Sequence, residues 1–258
     1  MSNFDRNAPV WGAGRAQQTS AVEMDQGLRS FMLGVYNNMS IGLAITGLAA
    51  IGISMLAIAG VSPTGKVTAL TPLGTALYTS PLKWVVMLAP LAFILFFSFK
   101  AESMSSSSAR AMFFAFAAVM GVSLSSIFVV YTGESITKVF FITAATFGAL
   151  SLYGYTTKKS LSAMGSFLIM GLIGLVIASV VNIFLQSSAL SFAVSAIGVL
   201  VFAGLTAWDT QRLKEMYLYS DMNPEEAAKL SVNGALSLYL NFINMFQMLL
   251  SLFGSKQE

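Results

Sequence analysis

Apolar positions in this chain do not alternate with polar ones; they gather in long runs broken by short hydrophilic segments. The runs lie at roughly 30–60, 81–99, 111–132, 139–157, 164–186, 189–209 and 232–253. A helix of about 20 apolar residues crosses the hydrocarbon of a bilayer, so the pattern predicts an all-α membrane protein, a seven-transmembrane-helix bundle over residues 30–258. Residues 1–29 read as a polar tail, without the apolar core and cleavage site of a secretory signal. The first run contains Asn37, Asn38 and Ser40, which places its first turns at the interface. The connection after it, with Ser62-Pro63-Thr64-Gly65 and Thr71-Pro72, is the longest external one. Asn223-Pro224-Glu225-Glu226 carries a cap and a proline at the first helical position, which predicts a short surface helix leading into the last span.

Composition agrees with this reading: 56% of residues are hydrophobic, only 10% are charged and the mean hydropathy is +0.75. The chain has neither cysteine nor histidine. Disulfide frameworks, zinc centres of the usual kind, Ser-His-Asp catalysis and histidine switching are thereby excluded. No Gly-x-Gly-Asp motif of an intramembrane aspartyl protease occurs either, so the chain is not expected to be an enzyme or to hold a resident cofactor.

A net charge of +3 and a pI near 9.1 would fit a nucleic-acid binder if the basic residues clustered, but they are scattered between the runs. They report topology instead. Alternate connections carry ten and four Lys and Arg, which puts the N-terminus in the cytoplasm and the C-terminus outside.

One acid departs from the hydropathy pattern. Between Arg29 and Asp209 the only other acids, Glu102 and Glu134, fall in hydrophilic breaks, whereas Asp209 closes the run 189–209. A carboxylate at membrane depth costs at least a few kcal/mol and is a functional candidate by default. Thr206, Phe202, Gly198 and Ser195 precede it at helical spacing, and Ser237, Asn241, Asn244 and Ser251 form a polar stripe on the last span. Polar stripes in lipid face other helices or water, and the two spans are antiparallel neighbours. Asp209 is therefore expected at the Ser237–Asn241 level, with Lys100 and Arg110 at the same cytoplasmic end as candidate basic partners. Two alternatives stand beside this: Lys100 and Arg110 snorkel to lipid headgroups, and Asp209 ends its helix at the headgroups, paired with Arg212 or Lys214. Gly171, Gly174, Ala178 and Asn182, like Gly121 with Ser123, Ser125 and Ser126, read as helix-packing seams.

The stretches Val201-Phe-Ala-Gly-Leu-Thr-Ala-Trp-Asp-Thr-Gln-Arg-Leu-Lys and Gly234-Ala-Leu-Ser-Leu-Tyr-Leu-Asn-Phe-Ile-Asn-Met-Phe246 resemble the C-terminal signature of the transmembrane Bax inhibitor motif (Bax inhibitor-1-like) family, in its bacterial branch. The resemblance implies a bundle whose central C-terminal helix is surrounded by the other six, an inner-membrane location and a pH-sensitive calcium leak. It also implies a pair of aspartates on the last two helices that share a proton and are latched by a basic residue of the second helix. Asp209 matches the first aspartate and Lys100 loosely matches the latch. The second aspartate is replaced by Asn241, which removes the coupled titration of two carboxylates and one of the charges a calcium ion would use.

Two functions follow. The first is a cation leak channel, calcium above all, with Asp209 as pore or gate charge (and as the tentative calcium contact), Asn241 as its partner, and Ser237, Asn244 and Thr206 around them. The second is a non-transporting regulator that binds other membrane proteins, such as quality-control protease machinery, through the polar tail.

Overall fold

The computed structural model describes residues 11–62, 66–100 and 103–257, with side-chain surroundings given from Met24 onward except at Ser98. The start of the expected polar tail, residues 1–10, the turn 63–65 and Glu102 lie outside the described residues. Along the chain come α1 (Trp11–Ala57), β1 (Ile58–Val61), β2 (Val67–Leu70), α2 (Pro72–Tyr78), α3 (Leu82–Lys100), α4 (Ser106–Leu124), α5 (Ile127–Val130), α6 (Gly133–Thr156), α7 (Ser162–Leu185), α8 (Ser188–Tyr219) and α9 (Pro224–Phe253).

Six of the spans are long and apolar enough to cross a membrane: α1 from Met24, α4 with α5, α6, α7, α8 and α9. The seventh is α2 with α3, a pair bent by 63° at a short break. The protein is an all-α membrane protein, and the two-stranded antiparallel hairpin β1–β2 lies in the connection that the sequence marks as long.

Several boundaries differ from the hydropathy runs, each for a local reason. Helix α1 starts well before residue 30 and packs from Leu28 onward, because Leu28, Phe31, Met32 and Val35 form a buried face at helical spacing. Asn38 faces the interior of the bundle, whereas Asn37 and Ser40 are exposed. Helix α8 continues ten residues beyond Asp209 to Tyr219, and the predicted surface helix at 224–229 is the first turns of α9 itself. The stretch 210–231 is thus not a loop. The connection shrinks to residues 220–223, where Asn223 accepts from the Glu226 backbone N–H at 2.9 Å and Glu226 reaches back to the Asn223 N–H at 3.0 Å. This capping box, with Pro224 at the first position, starts α9 sharply.

Helix α9 is the most buried span. It packs directly on α1, α4, α6 and α8; α3 and α7 lie further out, α3 on α2 and α4, α7 on α8. The expected ring of six around the last helix is therefore four close neighbours with two flanking helices. Glycines set the closest approaches. A Cβ on Gly154 would meet the backbone of Ala207, which brings α6 onto α8, and one on Gly165 would meet the Trp208 ring, which brings α7 onto α8.

The α7 seam keeps part of its predicted face: Gly171 packs on Val201 of α8 and Ala178 lies against the core, whereas Gly174 faces open space, and the buried residues are Gly165, Leu168 and Leu175. Asn182 closes the α7–α8 turn, accepting from the Ser187 N–H at 3.0 Å and donating to Ser191 at 3.1 Å, while Gln186 takes a left-handed conformation (φ 48°). On α4 the seam is as expected at Gly121, which packs against Thr46 and Ala49.

The far end of the bundle is tied by the C-terminal residues. The Gln257 side chain accepts from the Val67 N–H at 2.8 Å and donates to the Phe128 and Tyr131 carbonyls at 3.1 and 3.0 Å. Thr132 N–H donates to the Ser255 carbonyl at 3.0 Å. The short segment after α9 thereby joins the hairpin, α5 and the start of α6.

Candidate functional site

The α8–α9 seam holds the candidate site. Asp209 is 9% exposed and Asn241 6%. The Asn241 side-chain Nδ2 donates to Asp209 Oδ2 at 2.7 Å, a distance in the range of charge-assisted hydrogen bonds. Asp209 stands ten residues before the end of α8, about 15 Å along the axis at 1.5 Å per residue. It therefore does not end its helix, and that part of the alternative reading is overturned. The face preceding it is buried as the spacing predicts: Thr206, Phe202, Gly198 and Ser195 all point inward. Two residues before the end of α9, Ser251 Oγ accepts from Ser195 Oγ at 2.9 Å, so the two polar stripes meet at both levels.

Other predicted members are placed apart from the carboxylate. Thr206 is fully buried but donates to the Phe202 carbonyl of its own helix at 2.8 Å. Asn244 is half-buried and donates to the Leu240 carbonyl at 2.8 Å, and Ser237 is half-buried on the same stripe. Lys100 and Arg110 are exposed. Lys100 lies over the Phe96 ring at 5.9 Å, on a helix that packs on α2 and α4 and not closely on α8. No latch from α3 to Asp209 is formed. The cation that acts electrostatically on Asp209 is Arg212, one turn on, whose guanidinium lies 5.3 Å from the Trp208 ring. Lys214 is engaged elsewhere, donating to the Tyr155 carbonyl at 2.7 Å. Among the described residues no group of three or more Asp, Glu, His or Cys side chains could hold a metal ion. Asp209 is accordingly a lone carboxylate at this seam.

Two buried hydroxyl networks flank this pair and escaped the hydropathy reading. On the α6 side of α8, Thr210 Oγ1 donates to the Thr206 carbonyl at 2.8 Å and stands 3.0 Å from Ser151 Oγ, which is 2.6 Å from Tyr36 OH. On the other side of α9, the fully buried Tyr239 places its OH 2.7 Å from Thr46 Oγ1, which also bonds the Gly42 and Ala117 carbonyls. The Tyr239 ring is held edge-on by Phe113 and Phe116. Tyr239 immediately precedes Leu240 and Asn241, and Thr210 follows Asp209. Adjacency to the two motif residues was thus the available signal, but hydroxyls on apolar helices look like packing until their partners are known. Gln211 completes the set by pinning the α6–α7 connection: it donates to the Lys159 carbonyl at 2.9 Å and accepts from the Leu161 N–H at 2.7 Å.

The comparisons with known proteins agree with these motifs. The chain is 44% identical to a protein of Caulobacter vibrioides over the whole of both chains. It is 46% identical to one of Rickettsia prowazekii over 91% of this chain and 93% of the relative. It is 41% identical to the Escherichia coli inner membrane protein YbhL over 92% of this chain and 97% of that one. The sequence model of the family described as "Inhibitor of apoptosis-promoting Bax1" matches residues 28–258, a match that takes in every span and both residues of the Asp209–Asn241 pair, and the chain belongs to that family.

Proposed function

We propose that this protein is a cation leak pathway of the bacterial inner membrane, with calcium as the principal ion and with Asp209 and Asn241 as its gate. The observation that carries the reading is the 2.7 Å hydrogen bond from Asn241 to a buried, lone carboxylate between the two longest-packed helices. The E. coli relative is called an inner membrane protein, which supports the location. The uneven Lys and Arg distribution supports a cytoplasmic N-terminus.

The chemistry runs as follows. A calcium ion is bound through oxygen ligands, and at this seam the charged oxygen is Asp209. In the closed arrangement Oδ2 accepts from Asn241, so a cation reaching Asp209 displaces the amide N–H and loosens α8 from α9. Protonating Asp209 removes the charge that both the amide and the cation use, which makes the leak pH-dependent through one carboxylate. With Asn241 in the second position there is no like-charged partner to share that proton.

Calcium uptake by proteoliposomes, with the parent compared with Asp209→Ala and Asn241→Ala, tests this. Uptake should fall at least tenfold in Asp209→Ala and rise in Asn241→Ala. A parent with no uptake at any pH, or uptake indifferent to both substitutions, would sink the proposal. A silent chain that instead co-purifies other membrane proteins through its first 29 residues would be a regulator and not a pathway.

A further inference from the structure

A groove of about 530 Å³ opens on the outside of the bundle between α1 and α6. Its walls are Met32, Leu33, Phe147, Gly148 and Leu152, with Tyr36 and Ser151 on the floor and Arg29 and Tyr155 at one end. The two floor hydroxyls satisfy each other at 2.6 Å, so the surface presented is apolar. On α1 the lining residues fall between Arg29 and Tyr36, a rise of about 10 Å of helix. A Cβ on Gly148 would meet nothing within 4 Å, so the groove is open where that glycine sits.

Charge is placed at one end only. Arg29 is exposed, and the nearest acid along α1 among the described residues is Asp25, one turn away and also exposed. Beyond Tyr155 the connection to α7 carries the exposed Lys158 and Lys159, and behind Tyr155 stands Lys214, half-buried on its carbonyl. A second apolar crevice, between α1, α5, α6 and α9, has no charged side chain in its lining.

We propose that the Arg29 groove is a binding site for one anionic membrane phospholipid, whose headgroup phosphate is held at Arg29 and whose acyl chain lies along Met32, Leu33, Gly148 and Leu152. The groove has the size of a small-molecule site, opens sideways from two membrane-spanning helices, and ends in cations where a chain in the bilayer ends in its phosphate. Arginine suits a phosphate because its planar fork donates to two oxygens. The site does not depend on whether the chain conducts ions.

The test is lipid retention by the purified full chain, measured by native mass spectrometry with phosphatidylglycerol and, separately, with phosphatidylcholine. The parent should retain phosphatidylglycerol about fivefold better, the preference one surface cation confers. Arg29→Gln should erase that preference while leaving phosphatidylcholine unchanged, and Gly148→Phe should reduce retention of both by filling the groove. Lys83→Gln, on α3, should change neither. Equal retention of the two lipids by the parent, a preference that survives Arg29→Gln, or equal loss in Lys83→Gln would each overturn the proposal. Arg29 is exposed, so its variant folds and reads the headgroup even where Gly148→Phe does not fold.

Discussion

Replacing Asn241 by Asp puts two carboxylates where one stands now. The donor and acceptor of the present bond are 2.7 Å apart, and in the variant that distance separates two carboxylate oxygens. Two unit charges at this distance repel by roughly 6 kcal/mol at an effective dielectric of 20, more than a marginally stable fold tolerates, so the folded variant holds one proton between the pair. In the unfolded chain both carboxyls ionise near their ordinary value of about 3.9. Above about pH 5 the folded state therefore binds one proton more than the unfolded state from this pair. Stability then falls as pH rises, by about 1.4 kcal/mol per pH unit; the contribution is fully present at low pH and is lost as the shared proton leaves. Between pH 6 and pH 8 the variant should lose about 3 kcal/mol relative to the parent. Equilibrium unfolding in mixed detergent micelles, followed by tryptophan fluorescence at several pH values, measures this. Parent and Asn241→Asp curves with the same pH slope would refute the reasoning, because they would mean that residues 209 and 241 do not share a proton at hydrogen-bond distance.

Two further predictions concern the packing around this pair. Thr46→Val keeps the shape of the side chain but leaves the buried Tyr239 hydroxyl without its partner at 2.7 Å, and should destabilise the chain by about 1–3 kcal/mol; Tyr239→Phe in the Thr46→Val background should recover part of that loss, since no unpaired hydroxyl remains. Unfolding midpoints of the two single variants and the double variant read the coupling, and strictly additive losses would count against the bond. Gly154→Ala places a Cβ 2.9 Å from the Ala207 carbonyl carbon, well inside van der Waals contact. The overpacking should cost about 1–3 kcal/mol; an unchanged midpoint would mean that α6 and α8 do not approach as closely as described.

The membrane class and the number of spans were legible because burial in lipid is written directly into hydropathy. Asp209 and its facing residue Asn241 were legible because a polar group at membrane depth has few explanations, and helical spacing says which face it takes. What hydropathy could not place was the end of a helix that leaves the apolar region while still helical. Residues 210–219 carry Thr, Gln, Arg, Lys and Glu, a polarity typical of a loop, yet Leu213 is buried beneath Gly234, Thr210 beneath α6 and Gln211 on the α6–α7 connection, so tertiary contacts continue the helix. The same blindness produced the basic latch. Charge counting sorts Lys100, Arg110 and Asp209 to one end of the bundle, but lateral order depends on which small residues let backbones approach. Those approaches tie α8 to α6 through Gly154 and to α7 through Gly165, with α3 left on the far side of α4.

That lateral order bears on how the site could move. Successive residues of a helix point about 100° apart, so Asp209 and Thr210 address different neighbours: Asp209 bonds α9 through Asn241, and Thr210 meets α6 through Ser151, which in turn touches Tyr36 of α1. Trp208, the residue before them, packs on Gly165 of α7. Three consecutive side chains of α8 thus engage three different helices within one turn. A rotation of α8 large enough to withdraw Asp209 from Asn241 must also strain the Thr210–Ser151 contact and the Trp208–Gly165 contact. A shift along the α8–α9 seam at the Ser195–Ser251 end leaves those two contacts nearly untouched. If the gate opens, the geometry favours α9 moving away from α8 over α8 turning in place. The polar contacts that resist that movement are then Asn241 to Asp209 and Ser195 to Ser251 on the α8 side, and Tyr239 to Thr46 on the α1 side.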